Sequence, residues 1–277
     1  MQITGYNRNM NSKYIIIKPD EYCGMCGCIW QVIRAIFHNP NKLYYIDFTD
    51  SIYNTKKNDN VWDYFFEQPH KNTFPSSDEI ENFVGLISNQ DSEFIWTNTV
   101  PNTVEEISKR RFIFHNIIKN FIKIKPEIEE KINKFVSLNF DNKKILGAHF
   151  RGTDHPYKKN MDEYFKIIDK VINEYDYIFV SSDSNERYEA AKKYYGTKLI
   201  SYSALRSDKD DTPLHMPWYE RRWKRNPTFE YQYKIAQDVI VEAYLLSKVN
   251  FLFCCPGSNV NYFARSLNPF LESVEIL

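Results

Sequence analysis

The carboxy-terminal half of this chain alternates strand-like and helix-like segments, and that alternation restricts the fold more than any other feature. "KILGAHF" (144–150) reads as a strand and "MDEYFKIIDKVINEY" (161–175) as a helix with apolar residues at 165, 168, 171 and 172. "YIFVSS" (177–182) is a strand, "NERYEAAKKYY" (185–195) a helix closed by Gly196, and "TKLISY" (197–202) a strand. "YQYKIAQDVIVEAYLLSK" (231–248) is a long helix, "NFLFCC" (250–255) a strand and "NVNYFARSL" (259–267) a helix. Such alternation predicts a parallel sheet with right-handed crossovers. In open sheets of that kind, ligands bind beyond the carboxyl ends of the strands.

The first half begins the same way: strand "KYIIIK", loop "PDEYCGMCG", helix "CIWQVIRAIFHN" stopped by Pro40, then strand "KLYYIDF". A polar stretch containing "NTKKNDNVWDYFFEQP" follows. Next come an amphipathic helix, "VEEISKRRFIFHNIIKNFIKIK", ended by Pro126, and a second helix, "EIEEKINKFVSLN". The polar turn "FDNKK" separates these from the carboxy-terminal pattern. The expected domains are residues 1–140 and 141–277.

Basic and acidic residues number thirty-six each, so no global charge points to nucleic acid or a membrane surface, and any anion site must be local. No stretch reaches the ~18 apolar residues of a membrane span, and the amino terminus lacks a signal-peptide run. The five cysteines cluster at 23, 26, 28, 254 and 255, which is no disulfide framework. The only Asn-x-Ser/Thr sequence, at Asn226, is blocked by Pro227. A reducing, cytoplasmic location is the expectation.

Polar clusters sit where the strands end. Arg151 follows the first carboxy-terminal strand, and its planar fork suits phosphate oxygens. Gly152 leaves room for a close ligand, while Thr153 and Asp154 can hold the turn. A structural turn with a surface arginine is the competing reading. Asp183 ends the next strand; a carboxylate there can accept from a base or ribose, but taken alone it reads better as a helix N-cap. "CCPGSNVNYF" turns at Pro256-Gly257 and opens a helix at Ser258 and Asn259. Its free N–H groups make a natural diphosphate seat, or Ser258 is an ordinary cap. On the helix 231–248, the stripe Tyr231, Ile235, Val239, Glu242, Leu246 places a carboxylate where a hydrophobe belongs. Glu242 therefore needs a partner, either a ligand or an internal group such as an arginine.

Other signals carry less. Cys23, Cys26 and Cys28 lack a fourth zinc ligand and read as small residues in a tight loop. Asp208-x-Asp210 resembles the metal-binding pair of GT-A transferases but lacks the preceding strand, so a solvated turn is expected. "WYERRWKRN" (218–226) is a basic-aromatic loop suited to phosphate or a glycan. His155 and His215 can titrate near neutrality without an assigned task.

"HFRGTD" resembles the His-x-Arg-x-Thr-Asp motif of the GDP-fucosyltransferase superfamily. The similarity continues in order through "IFVSSDSNE", "VIVEAYLLSK" and "FLFCCPGSNVNYFARSLNP", and "YCGMCGCIWQVIRAI" resembles that family's first loop and helix. The resemblance implies a GT-B fold, two Rossmann-like domains facing a cleft, with the acceptor on residues 1–140 and the nucleotide sugar on 141–277. It implies inverting transfer from a nucleotide diphosphate sugar to a glycan or glycoprotein hydroxyl, with no metal and no other cofactor. Carried over by position, the donor-binding residues are His149, Arg151, Gly152, Asp154, Asp183, Glu242, Gly257, Ser258 and Asn259. Glu21, with Asp20 as competitor, takes the place of the glutamate base in some protein O-fucosyltransferases. This chain departs from the core α-1,6 enzymes at Gly152, where they carry a second arginine. It also has Ser184 after Asp183 instead of a second acid, and Glu242 where an aspartate is more familiar. A UDP-pentose such as UDP-xylose is therefore an alternative donor. A sugar-nucleotide-binding protein without catalysis is an alternative of a different class.

Overall fold

The computed structural model describes residues 13–20, 23–56, 58–71, 84–87, 104–153, 159–208, 213–214 and 228–276. The chain divides into two compact units, Met1–Lys125 and Pro126–Leu277. The division falls before the expected residue 140, because the helix that starts at Pro126 packs within the second unit, against the long helix 229–246.

In the first unit, β1 (Tyr14–Ile17) is the middle of a three-stranded parallel sheet, flanked by β2 (Leu43–Ile46) and β3 (Val84–Ile87). Helix α1 (Met25–His38) is the crossover from β1 to β2. It begins earlier than the apolar run suggests, because Met25, Cys26 and Gly27 are buried in its first turn. A short helix α2 (Trp62–Phe65) places Trp62 and Phe65 in the core, and α3 (Val104–Phe121) packs on α1 through edge-on contacts of Phe114 with Trp30 and Phe37. β3 lies in the stretch read from sequence only as polar.

The second unit is a five-stranded, all-parallel sheet in the order β6-β5-β4-β7-β8. Its strands are β4 (Ile145–Phe150), β5 (Tyr177–Ser182), β6 (Leu199–Ile200), β7 (Phe251–Cys254) and β8 (Glu272–Glu275). The helices are α4 (Pro126–Asn139), α5 (Met161–Ile168), α6 (Asn185–Tyr195), α7 (Phe229–Leu246) and α8 (Asn259–Leu267). Every residue of β4 is buried, as a central parallel strand covered on both faces requires. Leu146, Ala148, Phe150, Ile178 and Val180 face a core completed by Tyr164, Phe165 and Ile168 of α5. The alternate residues face the other layer: Phe179 meets Phe135 of α4, and Ser181 meets Glu242 of α7.

Two expected segments are shorter than read. α5 stops at Ile168, where Asp169 opens a turn that leads into a single 3-10 turn at Ile172–Glu174. "TKLISY" contributes only a two-residue strand, because the chain after Ile200 leaves the sheet edge to follow the end of β5, bridging Ser184 and Ser207. Strand β8 carries little hydrophobic signal and was not apparent in the sequence. The strand order reverses between β4 and β7, which makes the gap at their carboxyl ends a topological switch point.

Candidate functional site

At the carboxyl end of β4, Asp183 holds the turn that follows. Its Oδ1 accepts from the Gly152 N–H at 2.7 Å, and its Oδ2 accepts from the Thr153 hydroxyl at 2.7 Å and pairs with the Arg151 guanidinium. Burial alone would raise the Asp183 carboxyl. The Arg151 charge, the Gly152 N–H and the Thr153 hydroxyl outweigh it and hold the group below its ordinary range. The carboxylate therefore stays ionised and fixes the guanidinium, whose side chain keeps 20% of its surface exposed. Asp183 is not the N-cap of α6. Ser184 is, accepting from the Arg187 N–H at 3.2 Å.

The second cluster spans the switch point. His149 is buried in β4, with Nδ1 3.0 Å from Asn261 Oδ1. Asn261 Nδ2 donates to the Cys255 carbonyl at 2.9 Å, so its oxygen must face the imidazole and His149 carries its proton on Nδ1. Ser258 occupies the N-cap position of α8 with extended backbone, yet its hydroxyl does not cap the helix. It lies 3.4 Å from His149 Nδ1 instead. The cap reading of Ser258 is thus corrected. Before it, Gly257 turns the chain at φ +70, a conformation that disfavours a side chain, and Asn259 is half-buried in the first turn.

The third cluster was only half visible from sequence. Glu242 Oε2 accepts from the Ser181 hydroxyl at 2.9 Å, while Oε1 lies 3.7 Å from Arg206 Nη2, an ion pair without a hydrogen bond. Burial pushes this carboxyl up to about 8, with the Arg206 charge and the Ser181 hydroxyl opposing. The partner expected from the stripe on α7 is thus internal. Arg206 donates to the Ala204 and Tyr202 carbonyls and stacks 4.0 Å over the Tyr188 ring. The adjoining Leu205 N–H is held by Asp238 at 2.8 Å. Sequence reading missed Arg206 and Asn261. An arginine in the loop after β6 was findable as the partner that a buried glutamate demands.

Asp20 lies in the first unit, where its N–H donates to Gln31 at 2.8 Å and its carbonyl accepts from the Cys23 N–H. Asp208 is exposed. Glu21, Asp154, His155, Asp210, His215 and the segment 218–226 lie outside the described residues. Among the described residues, no group of three His, Cys, Asp or Glu side chains is placed to hold a metal ion, and no helix is long and apolar enough to cross a membrane.

Parallel α/β sheets place ligand sites at the carboxyl ends of their strands, where the polar clusters lie here, and solved structures that share this fold include fucosyltransferases. The fucosyltransferase NodZ from Bradyrhizobium matches at a TM-score of 0.54 and 16% identity, over 91% of each chain. A mutant of Arabidopsis thaliana FUT1 in complex with GDP matches at 0.53 and 12% identity, over 95% of this chain and 70% of that one. The apo form of POFUT1 matches at 0.51 and 11%, over 98% of this chain and 99% of that one. No protein-family model and no curated protein matches. At these identities the likeness establishes the fold, in agreement with the family resemblance of "HFRGTD" and the motifs after it. The chain is a mixed α/β protein with the fold of the GDP-fucosyltransferase-like structures.

Proposed function

We propose that this protein is a glycosyltransferase that takes a sugar, fucose-type, from a nucleotide diphosphate and passes it to a glycan or glycoprotein hydroxyl with inversion. The observation that carries the reading is the ordered turn at the end of β4, where Asp183 binds three successive residues and holds the Arg151 guanidinium in place. A guanidinium fixed in advance stabilises a departing diphosphate without reorganising, and the free N–H groups at the start of α8 would add a second positive end. His149, Gly152, Gly257, Ser258 and Asn259 would complete the donor seat, with Asp154 added by the family resemblance of the sequence motif. No metal is required by this reading, since the leaving charge has cationic and dipolar partners. Glu21 or Asp20 would supply the base, as the family resemblance implies. NodZ has been crystallised with GDP and soaked with GDP-fucose, and POFUT1 has been solved with GDP, which supports a nucleotide-sugar donor here.

The sequence keeps a UDP-linked donor as the alternative, because Gly152, Ser184 and Glu242 depart from the pattern of the core α-1,6 enzymes. The deciding experiment is a thermal-shift panel of nucleotide sugars, since a ligand that binds the native state raises its melting temperature. GDP-fucose is expected to raise it, or UDP-xylose if the second reading holds. A panel in which no nucleotide sugar shifts the transition rejects both.

A further inference from the structure

The amino-terminal end of α1 holds a pair of thiols that the glycosyltransferase reading does not use. Cys23 is half-buried in the loop before the helix, and Cys28 is buried in its first turns. The Cys28 thiol points back at the loop, with its sulfur 3.3 Å from the Cys23 carbonyl oxygen and 3.6 Å from that of Asp20. The two thiols are near enough that each shifts the ionisation of the other. We propose that Cys23 and Cys28 are an oxidisable pair, which a small disulfide such as glutathione disulfide converts into an intramolecular disulfide.

The chemistry is ordered by which thiol can ionise. Cys23 is lowered below its ordinary value, first by the neighbouring Cys28 thiol, against its own burial. It is also the more accessible of the two, so it attacks first. The Cys23 thiolate displaces one glutathione thiolate and becomes a mixed disulfide. Cys28 is held protonated by its hydrogen bond to Cys23, by burial and by the neighbouring negative charge. Capping Cys23 removes that hydrogen bond and the charge of Cys23 itself, leaving burial and the Asp20 charge. Cys28 then gives its proton to solvent and attacks the Cys23 sulfur, releasing the second glutathione. Two protein thiols are oxidised and one glutathione disulfide is reduced to two glutathiones. The sequence reading of the "CGMCGC" loop as small packing residues holds for Cys26, which is buried, but leaves out this contact.

The test needs no donor sugar, so its outcome is separate from that of the proposed function. The intact protein is incubated with glutathione disulfide, its remaining thiols are alkylated, and its mass and fragments are read. The expected product is lighter by about 2 Da before alkylation, with Cys26 alkylated and Cys23 joined to Cys28. C28S should stop at a glutathione adduct of about 305 Da on Cys23, reversible by dithiothreitol. A bond that includes Cys26, a wild-type protein that stops at the adduct, or five thiols all still alkylated overturns the proposal.

Discussion

Two arginine–carboxylate pairs in the second unit, one half-buried at the end of β5 and one buried against it from α7, differ in charge state. Asp183 receives a backbone N–H, a hydroxyl and a guanidinium, and ionises below its ordinary range. Glu242 receives one hydroxyl and an arginine that stands off at 3.7 Å, because Arg206 spends its donors on backbone carbonyls, and it rises to about 8. A nearby cation is therefore not enough to keep a buried carboxylate charged. Direct donors decide it.

The contrast can be broken most sharply at Asp183. D183A strips the partner from Arg151 and the anchor from Gly152, and is expected to cost about 3 kcal/mol in denaturant unfolding. A loss under about 1 kcal/mol would mean that the turn does not depend on this carboxylate. Next in size is R151A, which should lower donor turnover by about 100-fold or more while the wild-type rate is unaffected by EDTA. Manganese-dependent turnover would point to a GT-A-like chemistry instead.

The pH dependence of stability sharpens the comparison from the other side. Glu242 titrates higher in the folded than in the unfolded chain, so the native state holds its proton where the unfolded chain has lost it. Stability from this group is complete below about 4.5 and is lost as the pH rises towards 8. E242Q should remove that decline and be the more stable protein at pH 9, by on the order of 1–2 kcal/mol. Overlapping wild-type and variant curves would show that Glu242 is ionised after all. Asp183 has the opposite sign, contributing stability above its unfolded value near 3.8 that is lost in acid. The smallest expected effect is that of S184A, about 1 kcal/mol for the lost cap of α6. No change in melting temperature would return the cap role to Asp183.

Most of the sheet was legible because parallel strands are continuous apolar runs: "KILGAHF", "YIFVSS" and "NFLFCC" contain β4, β5 and β7. β8 was not, since its exposed Glu272 and Val274 alternate with half-buried residues at a sheet edge and give no such run. The site was legible in its residue types and less so in its wiring. The misfit of Glu242 on its helix announced a buried partner, whereas nothing local to "YSALRS" marks Arg206 as that partner. Asp183 was misread as a cap because the same short acid before a helix serves either purpose, and only the position of the β4 turn decides which.

The central strand has a consequence for synthesis. β4 pairs with β7, and the Ile145 N–H donates to Asn250, a residue 105 positions later. At ~5–20 residues per second, a ribosome takes roughly 5–20 s to supply that neighbour. During this interval the fully buried central strand of the unit has one flank open, so a nascent chain stalled between Ser182 and Phe251 should be the form that chaperones hold.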